Sequence, residues 1–531
     1  MKSKIMLKVI ISVCFVLALV AVGVIVFVLN KPPTADLENT PTSEDLTEDV
    51  SLNVNYDYTK MPTLAWSKGN SEYILLDYTG INKVESGVVV LKGSGSTDGT
   101  IAVRGANPRT GDVVWEKDVK SSANCTPISG GQRITCISPN RTTDSPDRED
   151  AEIEIIDAET GEPLKEESSL CALIDCVESI NIDNIQVVSA KEKIIIFGSL
   201  GRNSESLFFY AFNSKDLSTA YRTIATHLSE GVKGGDGSAM LLHNSRYLVG
   251  SVGEAFHVLD AESGKLVQSY EPGEPDSHQF AECHPGPFDD SYTCSELNMN
   301  DDMEAEDGNQ TVYRDDSSIH TAELVDFNFS TSTPIEGWCT SAPNVGVVAH
   351  GEVIDHDGNA LFTPATPADS SIAKLTSPLP YSNVQYQTCG NVAFELYGAG
   401  FPGAPLAAYS LPESSGQESS LLWDLTPQLN PPDSGANWYE NTSAYLVDNA
   451  LIAGLRGPDG SGDNAGLAEN IPNTPTAFNA STGDKLWELP KTVDNARNRL
   501  FTKRGYVIIA GTIVTQDSDG NISGYTFSEQ G

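Results

Sequence analysis

Positive charge is scarce in this chain. Thirty-three lysines and arginines stand against 73 aspartates and glutamates over 531 residues, a formal charge of −40. A general nucleic-acid binder, or a protein held electrostatically on anionic lipid, needs a basic face, so both classes are excluded. The motifs of several common chemistries are also missing. No Gly-x-Ser-x-Gly pentapeptide sets a hydrolase nucleophile on a turn. The histidines, His227, His243, His257, His278, His284, His320, His350 and His356, are scattered, with no His-Glu-x-x-His. No Cys-x-x-Cys occurs, which removes the usual zinc spacing and the covalent haem motif. Neighbouring acids such as Asp289-Asp290, Asp301-Asp302 and Asp315-Asp316 point different ways and read as solvated loops rather than glycosidase pairs.

What is present begins with an uncharged run, Val9 to Leu29, flanked by Lys2, Lys4 and Lys8 before it and Lys31 after it. At about 1.5 Å per residue this run spans a hydrocarbon core of roughly 30 Å as a helix. It is longer than the apolar part of a signal peptide, lacks a small-residue cleavage site, and is predicted to be an uncleaved transmembrane helix over 9–29. The lysines in front place residues 1–8 in the cytoplasm and the rest outside, as a single-pass protein of the cell membrane with an extracytoplasmic C-terminal domain. Residues 34–531 hold 29 bases against 73 acids, so the acidity lies beyond the run. Residues 30–62, acidic and rich in Thr, Pro and Ser, are expected to form a disordered stalk.

Eight cysteines follow the stalk: Cys125, Cys136, Cys171, Cys176, Cys283, Cys294, Cys339 and Cys389. An even count in an exported domain points to disulfides. The smallest loops result from pairing neighbours as 125–136, 171–176, 283–294 and 339–389.

The external domain reads as many short strands. Runs such as GVVVL at 87–91, KIIIFG at 193–198, RYLVG at 246–250 and YVIIAG at 506–511 are punctuated by turn residues. One pattern recurs: Asn107-Pro-Arg-Thr110-Gly111 with Trp115, Asp157-Ala-Glu-Thr160-Gly161, Asp260-Ala-Glu-Ser263-Gly264, and Asn479-Ala-Ser-Thr482-Gly483 with Trp487. An Asx side chain caps the turn, Thr or Ser adds a second bond, and Gly takes the positive-φ position. Looser copies near 216, 358 and 416 (the last leading to Trp423) space the markers by 50, 55, 48, 94, 58 and 67 residues. The double gap implies a hidden unit near 300–330. Several strands per unit at this period predict an all-β, eight-bladed β-propeller over 63–531, or seven blades if the hidden unit is an insertion.

This repeat, Asx-Ala-x-Thr-Gly-x-x-x-Trp, resembles that of the quinoprotein-like (PQQ-like repeat) β-propellers. The resemblance implies that the motif forms the turn between outer strands of a blade and that Trp115, Trp423 and Trp487 pack between blades. Leu164, Val267 and Leu361 lie near the equivalent place in other units. Quinone-binding members stack the cofactor on a disulfide of adjacent cysteines, with calcium held by Glu, Asn and Asp; no Cys-Cys dipeptide occurs here. No cofactor, metal or catalytic residue is therefore assigned. Asp355-His-Asp357-Gly-Asn359 and Asp517-Ser-Asp519-Gly-Asn521 have oxygen ligands at alternate positions, but read as hairpin turns before calcium loops.

The interval 272–318, rich in Asp, Glu, Pro and Gly, is expected to be a long inserted loop projecting from the propeller. The expected function is a non-catalytic, protein-binding scaffold of the cell envelope with a protein partner. The alternatives are a quinone- or calcium-dependent dehydrogenase and a ligand-binding sensor. Fold says little between these, because function lives in sites.

Overall fold

The computed structural model describes residues 56–530 except for shorter stretches and, chiefly, 77–86, 227–239, 271–278, 335–344, 364–384, 397–405, 426–439, 457–469 and 496–505. The described strands form nine separate sheets, each running outward as an antiparallel meander, the blades of a β-propeller. Numbered along the chain, blades 1 to 5 occupy 73–120, 124–167, 180–226, 240–270 and 279–323. Blade 6, at 345–362, has three strands among the described residues. Blade 7, at 385–424, gains a further strand, Thr331–Pro334, lying parallel to Gln385–Cys389. Blade 8 covers 440–488, and Thr492–Asn495 pairs with its third strand. Blade 9 takes three strands from the C-terminus, at 506–526, and its outermost strand, Thr63–Lys68, from the N-terminal side.

Burial explains the sequence pattern. The middle strands of blade 3, Lys193–Leu200 and Ser206–Asn213, are buried almost throughout because neighbouring blades cover both faces. Their apolar residues are therefore continuous rather than alternating. Outer strands carry one free edge, and Val113–Lys120 of blade 1 alternates, burying Trp115 and Val119. Among the described residues the only helix is one turn, Leu170–Ile174, capped by Ser169 Oγ, which accepts from the Ala172 amide at 2.9 Å.

Several expectations are corrected. The count is nine blades, not eight or seven. The hidden unit is blade 5, whose outer turn carries Asp315 at positive φ where most other copies have Gly and blade 3 has Leu217. The same blade replaces the inserted loop expected at 272–318: Gln279–Pro285, Tyr292–Met299, Ala305–Arg314 and Ser317–Glu323 are its four strands. Its polar composition hid it, since buried Thr293, Ser295 and Gln310 stand where other blades have aliphatics.

The uncounted unit is blade 9, whose outer turn is interrupted by the chain termini. There Asp57-Tyr58-Thr59 supplies the Asx side of the turn. Thr59 donates from its amide and hydroxyl to Asp57 Oδ1, and the Asp57 amide donates to Ser528 O at 2.9 Å. Tyr56 and Tyr58 are buried in the core with Trp487 and Phe527, so the segment from residue 56, expected to belong to a stalk over 30–62, packs with the propeller, and residues 30–55 lie outside the described ones. The transmembrane helix expected at 9–29 finds no support: those residues lie outside the described ones, among which no helix is long and apolar enough to cross a membrane.

Candidate functional site: the seams and the turn face

In blades 1, 2, 4 and 8 the repeat builds the same turn. Asn107 Oδ1 accepts from the amides of Arg109 (2.9 Å) and Thr110 (3.2 Å), and the Gly111 amide returns to Asn107 O at 2.8 Å. The Thr110 hydroxyl accepts from Asp112 N at 3.3 Å. Asp157, Asp260 and Asn479 repeat the cap, with Thr160, Ser263 and Thr482 in the second role. Burial raises the Asp260 carboxyl, but hydrogen bonds from Ser263 outweigh it and hold the group below its ordinary pKa.

The turn glycines have a second duty, close approach. Gly161 lies beneath the indole of Trp115 from the preceding blade, and a Cβ there would stand 2.6 Å from Trp115 Cδ2. Trp115 Nε1 also donates to Ala158 O at 2.7 Å, in the same turn. Trp423 sits likewise on Gly483 and donates to Ala480 O at 2.9 Å. Trp487 donates to Tyr58 O at 2.9 Å, so the interrupted turn of blade 9 receives its indole as the others do.

Three of the predicted structural residues, Gly111, Gly264 and Trp115, gain partners that sequence reasoning missed. Gly111 lies under Trp66, whose Nε1 donates to Pro108 O at 2.7 Å across the blade 9–blade 1 seam. Gly264 lies under Tyr221, whose hydroxyl donates to Ala261 O at 3.1 Å. Burial pushes the Tyr221 phenol far up, so it stays a donor. Trp115's strand adds the ion pair Lys117–Glu154 at 2.8 Å and Lys120–Glu152.

Leu164, Val267 and Leu361 do not take the indole's place. Leu164 is exposed, and Val267 and Leu361 pack partly buried within core clusters. In blades 1, 3 and 8 the seam residue is four after the left-handed turn residue, and in blades 2 and 4 that position is one further along than Leu164 and Val267. There Lys165 lies 5.1 Å from the Phe212 ring and Gln268 Oε1 accepts from Tyr292 at 3.0 Å. Counting four from Leu217, which takes the left-handed conformation, would have found Tyr221. The blade 5–blade 6 seam is closed by His320. Its Nδ1 lies 3.0 Å from Gly358 O and its Nε2 2.9 Å from Glu352 Oε2.

The disulfides Cys125–Cys136 and Cys283–Cys294 join directly opposed residues of the two innermost strands in blades 2 and 5. Cys171 and Cys389 are also disulfide-bonded; their expected partners, Cys176 and Cys339, lie outside the described residues. The calcium-like loops are closed on themselves: Asp355 Oδ1 accepts from Asp357 N and Asn359 N, and its Oδ2 from Asn359 Nδ2. Asp517 and Asn521 repeat this in the hairpin of blade 9. Among the described residues no group of three or more His, Cys, Asp or Glu is placed to hold a metal ion.

Because all blades run as the same meander, their outer turns emerge on one face of the ring. That face exposes Asp112, Glu159, Glu162, Asp216, Glu262, Asp357 and Asp484 against Arg109, Lys215 and Lys265. The arrangement can present fixed carboxylates on a rigid frame.

No family model matches the sequence, and no curated protein does. Among solved structures the chain is similar to BamB from Moraxella catarrhalis, at 11% identity and a TM-score of 0.38, covering 87% of this chain and 100% of that one. A europium-containing methanol dehydrogenase matches at 10% identity and a TM-score of 0.34, over 88% of this chain and 85% of the other. The β-propeller domain of the Trilobed protease from Pyrococcus furiosus matches at 10% identity and a TM-score of 0.31, over 76% and 95%.

Proposed function

We propose that this chain is a non-catalytic propeller of the quinoprotein-like repeat type that holds a protein partner outside the cytoplasm. The observation that carries the proposal is how the recurring polar and aromatic side chains are used. The Asx, Thr and Gly residues of each turn, and the Trp, Tyr or His above them, are engaged in closing seams. What remains for a partner is the exposed, acid-rich turn face. Such a face favours a basic partner by steering and complementarity. The disulfide Cys125–Cys136 supports an oxidising location.

Crosslinking in intact cells followed by mass spectrometry tests this. A defined partner should be captured by the wild type and lost from a triple variant, Glu159→Lys, Glu162→Lys and Glu262→Lys, that keeps its circular dichroism spectrum. Undiminished capture by the variant, or alcohol or sugar oxidation after adding quinone and calcium, overturns the proposal.

A further inference from the structure

At four seams the donor to the neighbouring turn is an indole N–H, which is present at every accessible pH. At the blade 5–blade 6 seam that donor is His320, which lies among acceptors on both sides. Nδ1 faces Gly358 O at 3.0 Å and Nε2 faces Glu352 Oε2 at 2.9 Å. A neutral imidazole has one N–H and can satisfy only one of them; the imidazolium satisfies both. The seam carries a second pair in the opposite sense, with His356 of blade 6 placing Nε2 3.4 Å from Asp290 Oδ1 of blade 5.

We infer that the blade 5–blade 6 seam is a pH-responsive joint, closed when His320 is an imidazolium bridging Glu352 and the Gly358 carbonyl and loosened when it is neutral. Two features of the fold make loosening here consequential: blade 6 has three strands among the described residues, and the atoms nearest to Gly358 are those of Ile319, where Gly111, Gly161, Gly264 and Gly483 lie under an aromatic ring.

The surrounding charges favour the closed form. Glu352 is held by Thr363, whose hydroxyl donates to Oε1 at 2.8 Å, and both His320 and Glu352 side chains are little exposed, so water screens the pair weakly. The turn below contributes Asp355 and Asp357, and the strand of His320 contributes Glu323. Across the seam, Arg314 Nε lies 3.1 Å from Asp290 Oδ2 and offsets one acid, while Asp289 is pushed up by burial first and Asp290 second. The Glu352 hydrogen bond raises the His320 pKa above the ordinary histidine value, outweighing burial, with the Gly358 carbonyl adding to it. A raised folded-state pKa means the stabilisation is complete below the unfolded value and is lost as pH rises through the folded one. His356 is half exposed, so water screens its pair with Asp290.

Amide exchange of the full chain, read by mass spectrometry, tests the joint against an internal reference. Protection of Ser317–Glu323 and Glu352–Asp355, taken as a ratio to that of Val113–Lys120 at the Trp115 seam, should fall several-fold between about pH 5.5 and about pH 8.5. His320→Gln should make that ratio independent of pH. A constant ratio in the wild type, or the same pH profile in His320→Gln, overturns the inference. If His320→Gln does not fold, the imidazole titration of His320 in the wild type decides: a midpoint at or below that of an unfolded histidine overturns it.

Discussion

Beside the apolar clusters between blades, the contact of each indole or phenol with the neighbouring turn involves few atoms, and these make the sharpest predictions at the residue scale. Trp115→Ala removes a buried indole and leaves Ala158 O without its 2.7 Å donor. It should cost about 3–5 kcal/mol, read as a lower urea midpoint at unchanged slope. Gly161→Ala acts on the same seam from the other side: φ is +73° and the new Cβ would stand 2.6 Å from the indole. It should destabilise by at least about 1 kcal/mol, and because it shares the seam with Trp115→Ala, the double variant should cost less than the sum. The capping carboxylate of Asp260, held below its ordinary value, gives stability that is complete above the unfolded pKa and lost as pH falls through the folded one. Asp260→Asn should therefore flatten the acid limb of a melting-temperature profile. These residues were legible in the sequence because the turn is local: Asx, Thr and Gly interact within five positions. Their partners were not. Trp66, 45 residues before Gly111, and Tyr221, 43 before Gly264, meet those glycines only when blades stack.

At the scale of the element, the hairpins of blades 2 and 5 are stapled at their innermost strands by disulfides between register partners. Replacing Cys125 and Cys136 together by Ala should cost about 2–3 kcal/mol by freeing a short loop in the unfolded chain, measured by denaturant titration. The pairing was accessible from spacing because residues 11 apart are brought opposite by a tight hairpin. Blade 5 shows the opposite case. Its strands carry Glu282, Glu296, Asp307 and Gln310 in a stretch whose composition suggests a loop. Strand pairing there is set by neighbours on both edges and by the covering blades, which composition does not report.

At the scale of the whole molecule, the ring is closed by Thr63–Lys68 pairing with Ile522–Thr526, and by Tyr56 and Tyr58 beneath it. A chain beginning at residue 69 loses this closure and should melt well below one beginning at residue 51, and with lower cooperativity by calorimetry. An equal melting temperature would show that blade 9 does not lock the ring. The same closure explains the miscounted blades: repeat markers record outer turns, and a blade whose turn is divided between the two ends of the chain has no complete marker to count.

What the amino-acid sequence determined by itself is whatever local chemistry decides: short β-strands, capped left-handed turns, hairpin disulfides, an excess of acid, and a repeating unit that cannot bury its faces alone. Only the tertiary structure decided the number of blades, the membership of residues 56–68 in the ring, and the choice of Trp, Tyr, Lys, Gln or His at each seam. Those are contacts between segments far apart in the chain, and their energy exists only once neighbouring blades have stacked and excluded water from between them.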